Sequence, residues 1–567
     1  MKNRNNHLNF TLFIVCLFVA ISCKGKLGSS GGVEQADNLS KTLIGYLPKN
    51  TLAFHYWDFS LPGYQKYKNS NWHKAATPTS FVEGWNVTGN ELIATLPEIL
   101  KQNGVTLEDK LVIENLFSEG AAYLLGQSDN AKATEIEYGV VVKARDEQKL
   151  AGLTKSIKDY ALQKQLQPLD MQIDGGQGFS IAIKDKYDPK QVVDVFIGQK
   201  KNLAAIASKK ETLIQILATT TPSSPVITTE DKYKKAVRSI PGFDQLYGFG
   251  YADIEQLSNL LSSVNQVNQD IINTLKNQPL ISLVYAWAMN DHPYSEAVLN
   301  IKPDADSASL PRQFKQSSSE SLLQMYGAAP SLLLSLDGQT VHNLLATAAN
   351  ANSQTPVPAM ALTTIKDIER LSILAKVNTA GQSFLPIPDL VIAVQTAKGE
   401  ELQTTLKSTI APFMSLAAGN TSWQTKQING TTVTYNNTPL NLGVYLASTK
   451  GHLLVTSSET QMNTILGAGG KSAQSLATLL PAKAQDALAL KQSIMSFYLD
   501  FNDLATALQN AQGMMQMSGN QNDALSKALE PKQLEMLRKL GRLSASLKLE
   551  DNVLRFQTAY APGSAQQ

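Results

Sequence analysis

A chain of 567 residues with 43% hydrophobic side chains has enough apolar material for more than one core. Charged residues make up 17% of it and Gly and Pro are unexceptional, which excludes a disordered polymer. The formal net charge is +2, and without Lys2 and Arg4 the basic and acidic residues balance at 48 each, so nothing in the overall charge favours a nucleic-acid partner.

Lys2 and Arg4 precede an apolar run from Leu8 to Ile21, broken lightly by Asn9 and Thr11. The run is short for a bilayer span and has the proportions of a secretory signal. It ends in Val19-Ala20-Ile21-Ser22-Cys23. Small residues followed at once by Cys resemble the lipobox of bacterial lipoproteins, with Ala20 where Leu is commoner. The resemblance implies a signal peptide over 1–22, a mature chain beginning at Cys23, and acyl chains on that residue as a durable membrane anchor. Cys16, the other cysteine, falls in the leader, so no intrachain disulfide is available after export. Lys24 rather than Asp follows the lipidated Cys. In Gram-negative lipoproteins this implies the outer membrane, with the body in the periplasm or at the cell surface. Residues 23–43, rich in Gly, Ser and Lys, read as the lipidated Cys and a flexible tether.

From residue 44 the hydrophobic periodicity predicts an α+β body in two tandem duplicated units, 44–305 and 326–562. A Pro-, Asp- and Ser-rich linker at 306–325 joins them, and a short tail, 563–567, follows. The first unit begins with a strand over 52–59 containing Asp58. A long irregular and helical passage runs to about 126, followed by a strand over 136–144 and an amphipathic helix over 147–162. Glycines at 175, 176 and 178 mark one hairpin, and 192–207 reads as another. A helix over 210–217 precedes the phrase Tyr251-Ala-Asp253-Ile-Glu-Gln-Leu257, and strands over 281–289 and 294–301 close the unit.

The second unit repeats this order. Strands over 332–336 and 390–394 lead to a helix over 398–416, and a hairpin turns at Asn429-Gly430. Two more strands and a helix over 460–466 follow. The phrase then returns as Tyr498-Leu-Asp500-Phe-Asn-Asp-Leu504, and strands over 543–549 and 553–560 end the unit. Asp253 and Asp500 stand where strand passes into helix, the place for an N-cap carboxylate, with an acid pair as the alternative reading. Each unit is expected to be an antiparallel sheet with helices mainly on one face.

Leu47-Pro48-Lys49-Asn50-Thr51, followed by Asp58, Asp253 and Asp500 at strand–helix joints, resembles large bacterial cell-envelope proteins of unknown function. The second unit keeps Pro330 of that opening. The resemblance implies no catalytic residues.

Motif searches for chemistry come back empty. The six His form no H-E-x-x-H, and no Cys remains after processing for a zinc site. No G-x-S-x-G elbow stands at an expected strand–helix turn, and there is no S-x-x-K. Gly467-Ala-Gly469-Gly470-Lys471-Ser472 lacks the earlier Gly of a phosphate loop and follows a helix, so it reads as a helix C-cap. Asp170, Asp174, Asp185 and Asp188 fit no calcium-loop spacing. No cofactor or metal is expected.

What separates the two units is an aromatic concentration. Residues 54–85 hold nine aromatics, among them Tyr56, Trp57, Tyr64, Trp72 and Trp85, with His55 interleaved, while the matching part of the second unit has leucines. Rings with polar tips suit stacking on sugars or gripping a partner, and they equally suit a local core. Met514, Met515 and Met517 form a lesser apolar cluster. The expectation is a membrane-anchored envelope lipoprotein with a non-enzymatic binding or scaffolding role toward an envelope protein or glycan. The candidate surface is His55, Tyr56, Trp57, Tyr64, Trp72 and Trp85. A hydrolase of envelope polymers and a carrier of a lipid or apolar ligand between the units are the alternatives.

Overall fold

The structure, a computed structural model, describes residues 38–60, 62–70, 116–126, 137–184, 192–218, 226–240, 246–262, 279–289, 292–303, 316–319, 326, 330–342, 366–377, 389–418, 422–437, 443–449, 451–467, 476, 480–518 and 531–561. The chain divides into two units, Met1–Asp304 and Ala305–Gln567.

The first unit opens with a short 3-10 helix, Leu43–Tyr46. It continues through β1 (Thr51–Asp58), α1 (Pro62–Asn69), β2 (Phe117–Leu125), β3 (Glu137–Ala144) and α2 (Glu147–Gln163). Next come β4 (Leu169–Ile173), β5 (Gly176–Lys184), β6 (Val192–Lys200), β7 (Leu203–Ala207) and α3 (Lys210–Ala218). It ends with α4 (Asp231–Arg238), β8 (Leu246–Asp253), α5 (Ile254–Ser262), β9 (Leu280–Met289) and β10 (Pro293–Ile301). The described pairings are antiparallel, in the order β4-β5-β6-β7-β3-β2-β1-β8-β9-β10.

The second unit runs β11 (Leu332–Asp337), β12 (Arg370–Lys376), β13 (Asp389–Gln395), α6 (Gly399–Ala418), β14 (Gln424–Ile428) and β15 (Thr431–Asn437). It continues with β16 (Gly443–Thr449), β17 (His452–Thr456), α7 (Glu459–Gly467), α8 (Ala482–Leu488) and β18 (Met495–Asp500). Then come α9 (Phe501–Ser518), α10 (Pro531–Leu540), β19 (Arg542–Glu550) and β20 (Val553–Ala561). Its order is β14-β15-β16-β17-β13-β12-β11-β18-β19-β20, again antiparallel. Strand for strand this is the order of the first unit, so the central strands of one sheet can be compared with those of the other through their shared register at Asp58 and Asp337.

Local chemistry places these elements. Asn429 and Gly430 both take positive φ (47° and 77°), the pair a two-residue hairpin turn needs for its twist to match the strands, and Ile428 pairs Thr431 across it. Asp146 caps α2, its carboxylate accepting the N–H groups of Gln148 and Lys149 at 2.8 and 3.1 Å.

Helices cover both faces of the first sheet rather than mainly one. Leu213 and Leu217 of α3 lie over Gly198, and Tyr233 of α4 meets the Phe54 ring at 6.0 Å, on the face that carries Tyr56. Ala161 of α2 packs with Phe179, Ile181 and Ile197 on the other face, the one that carries His55 and Trp57. Tyr64 of α1 meets Phe59 at 5.0 Å on that same side. The cause is in β1 itself: apolar residues occupy both parities of the strand, so both faces need cover.

Two strands fall where the sequence predicts none. β2 lies in the passage expected to be irregular and helical, and β12, its counterpart, was likewise not expected. β2 carries Glu119, Gly120 and two alanines, a poor β composition, and β12 begins with a buried arginine.

Candidate functional site

On one face of the first sheet, large and small residues alternate across the strands. Gly120, Trp57, Gly248 and Trp287 form one transverse row, and Ala122, His55, Gly250 and Tyr285 the next. The rings lie down over the neighbouring glycines. A β-carbon at Gly120 would collide with the Trp57 indole, one at Gly248 with Trp287, and one at Gly250 with Tyr285. Without side chains at those three positions, four aromatic rings settle against bare backbone and one another. His55 meets Trp287 edge-on at 4.8 Å and Trp57 at 5.5 Å, and Tyr285 lies 5.3 Å from Trp287. The Tyr285 hydroxyl stands 3.3 Å from His55 Nδ1. Burial pushes the His55 imidazole down to about 4, so it is neutral at pH 7. Trp57 is half-buried, and its Nε1 has no hydrogen-bond partner.

The aromatic run of β1 is thus divided by the pleat. Tyr56 faces the opposite way, 1% exposed, and its hydroxyl is shared between Asp58 Oδ2 at 3.0 Å and Glu119 Oε2 at 3.3 Å. Burial, then the two nearby carboxylates, hold its phenol well above the ordinary range. Glu119 also accepts the Lys143 ammonium at 2.7 Å and the Leu43 backbone N–H at 3.1 Å. Tyr56 is therefore a core residue and no part of an accessible surface. Tyr64 on α1 is also buried, in a cluster with Phe59, Tyr67 and Tyr247, where Tyr67 and Tyr247 stack at 4.9 Å. Trp72, Trp85 and Cys23 lie outside the described residues, as do the side chains of Met514, Met515 and Met517 on α9. Tyr285, Trp287 and the three glycines were not singled out from sequence. The alternations Gly248-x-Gly250 and Tyr285-x-Trp287 are the local signal that could have found them.

Both strand–helix aspartates accept helical N–H groups. Asp253 Oδ1 takes the Gln256 N–H at 3.0 Å and the Lys232 ammonium at 2.7 Å. Asp500 Oδ1 takes the Asn502 and Asp503 N–H groups at 2.9 and 3.3 Å, and its Oδ2 takes Arg542 Nε at 3.1 Å. Asp337 does the same at the end of β11, and Asp58 Oδ1 accepts the Ser60 N–H just past β1. Among the described residues no cluster of His, Cys, Asp and Glu is suited to hold a metal.

In the second unit, the register counterparts of the first sheet's buried aromatics are serines. Ser335 stands for Tyr56 and Ser496 for Phe249, and the row Ser372, Ser335, Ser496, Ser546 crosses four strands, all buried. Arg370, 1% exposed, occupies the space beside it. Its Nε donates to Ser335 Oγ at 2.6 Å, and Nη1 donates to the carbonyls of Ser317 and Ser493 at 2.7 and 2.8 Å. Its Nη2 donates to Ser493 Oγ at 3.0 Å. Burial lowers the guanidinium to about 10, still charged at neutral pH. A crevice beside it is lined by Ser318, Ser319, Ser372, Ala393, Gln395 and His452.

These features define an α+β chain of two antiparallel-sheet units, one with an aromatic–glycine face and one with a buried serine–arginine seam. No protein family matches the chain, and no curated protein matches it. Among solved structures, crystal form III of TP0453 matches over 48% of this chain and 83% of that one, at 11% identity and a TM-score of 0.22. Crystal form I of TP0453 matches over 47% and 82%, at 11% identity and a TM-score of 0.23. Likeness at that level says nothing further about this chain. Among the described residues no helix is long and apolar enough to cross a membrane.

Proposed function

We propose that this chain is a bacterial envelope lipoprotein anchored through Cys23, with a non-enzymatic binding role carried by its first unit. The two units descend from a tandem duplication; their common strand order supports that reading. The observation that carries the binding role is the aromatic–glycine face. At its register-equivalent positions the second unit has Leu336, Leu334 and Leu547 in place of Trp57, His55 and Trp287, so one copy alone acquired the rings. Trp57 and His55, partly exposed and backed by the buried rings of Tyr285 and Trp287, suit stacking on an envelope glycan or a protein side chain.

The address is tested by intact mass of the mature N-terminus and detergent partitioning. An acylated Cys23, lost in Cys23→Ser, supports the anchor; an unmodified thiol removes it. The binding role is tested by calorimetric titration of soluble envelope glycan, and by cross-linking in whole envelopes for a protein partner. Trp57→Ala that stays folded and loses the interaction supports the reading. Trp57→Ala that loses stability while retaining every interaction assigns the rings to packing alone.

A further inference from the structure

We propose that the crevice beside Arg370 binds a single monatomic anion, a halide, held by the Ser372 hydroxyl and the buried guanidinium behind it. Three observations on the second unit converge there.

First, Arg370 is a buried cation with neutral acceptors only. Its nitrogens bond to serine hydroxyls and to the carbonyls of Ser317 and Ser493, and among the described residues no carboxylate stands within ion-pair distance. Asp337, its cross-strand neighbour, lends a favourable field, but its carboxylate is engaged by the N–H groups of Gln339 and Thr340 and the Thr340 hydroxyl. A buried charge without a contacting counter-charge is unfavourable and draws one in.

Second, the hydroxyls form a relay. Ser335 Oγ accepts from Arg370 Nε at 2.6 Å and lies 2.6 Å from Ser372 Oγ. Beside a cation a hydroxyl dipole turns its proton away, so Ser335 donates to Ser372, and the Ser372 proton is left to point onward. Ser372 lines the crevice, so the chain Arg370–Ser335–Ser372 delivers a polarised donor into it.

Third, the space selects the ligand by size. The crevice has room for about one water-sized body, ≈ 10 Å³, which suits a single small ion better than phosphate, sulfate or a carboxylate. Its rim residues Ser318, Gln395 and His452 are partly exposed, which gives an ion a way in. The Ser318 and Ser319 hydroxyls point at the Leu490 carbonyl over 3.3 and 3.5 Å, long bonds that are easily exchanged for an anion. Gln395 donates to Glu369 at 3.0 Å and takes no part.

The test is ³⁵Cl NMR line broadening on the purified full chain at constant ionic strength. Excess chloride linewidth that saturates, is displaced by bromide and is untouched by sulfate is the expected result. In Ser372→Ala, folded by circular dichroism, that excess falls at least several-fold. Should Ser372→Ala fail to fold, Ser319→Ala, which also lines the crevice, serves instead, with the same expected loss. No excess broadening in the native chain, or equal broadening in the folded variant, overturns the proposal.

Discussion

Glu119 and Arg370 occupy the same register position in the two units, opposite Asp58 and Asp337 respectively, and they grip the incoming chain by opposite backbone groups. Glu119 accepts the N–H of Leu43; Arg370 donates to the carbonyl of Ser317. In each unit the gripped segment precedes the first strand of the sheet. An acid can only accept and a guanidinium can only donate, so the inversion of charge comes with inversion of the backbone group held. The same exchange removes Tyr56 and Phe249 and puts Ser335 and Ser496 in their register positions, where the arginine and its hydroxyl partners take up the space.

Replacing Arg370 by Met should lower the stability of the chain by about 3 kcal/mol. The carbonyls of Ser317 and Ser493 and the hydroxyls of Ser335 and Ser493 would each lose a bond to a charged donor and keep only their backbone or serine partner, at roughly 0.5–1 kcal/mol apiece. Arg370→Lys should recover little of it, since an ammonium cannot fork to acceptors on three segments. Urea unfolding followed by far-ultraviolet circular dichroism reads the difference; a loss near zero for Met would mean that the seam does not depend on the guanidinium.

Gly250→Ala and Gly248→Ala should each destabilise by roughly 1–3 kcal/mol, because the added methyl meets a ring that lies flat on the backbone. Gly430→Ala makes the contrast: nothing crowds its β-carbon, and any loss there comes from its φ of 77° alone. Gly248→Ala should also shift tryptophan emission through Trp287, which the turn variant leaves unmoved.

Acid should weaken the first unit through His55. Its folded pKa is about 4 against an ordinary 6.5, so between those values the unfolded chain binds the proton and the folded chain does not. Stability is therefore whole above pH 6.5 and falls as the pH drops toward 4, by at most about 3 kcal/mol at the 1.36 kcal/mol per unit of linkage. His55→Phe, which keeps a ring against Trp57 and Trp287, should flatten this stretch of the stability–pH curve. A native imidazole that titrates near 6.5 by NMR would contradict the assignment.

Asp500→Ala should cost more than Asp253→Ala. Both remove a helix cap, worth about 1 kcal/mol. Asp500 also neutralises Arg542, whose side chain is 8% exposed, whereas the Lys232 that pairs Asp253 is 30% exposed and can turn to water. Taking the carboxylate away from a buried guanidinium raises the loss to roughly 3 kcal/mol. Parallel denaturant titrations of the two variants, compared with Asp500→Ala/Arg542→Met, separate the cap from the pair.

Short-range signals carried well. Asn429-Gly430, the Asp253 and Asp500 joints and the alternating strands around them were legible because turn geometry and capping are decided within a few residues. The aromatic concentration around Trp57 was visible as composition. Its partition was not: whether His55 and Tyr56 share a surface depends only on the pleat, but what lies beneath each depends on β8 and β9. Tyr285 reaches His55 across 230 positions of chain.

The amino-acid order alone therefore determined the strand–helix phrases, their recurrence and the turns, all set by local backbone preference and periodicity. Folding decided which residues became an aromatic platform and which a polar interior. Gly120, Gly248 and Gly250, unremarkable in sequence, became the bed for the aromatic rings, and serines spread over four strands became one seam around Arg370. Those outcomes come from cross-strand register, which joins positions hundreds of residues apart and leaves no mark in any short window of sequence.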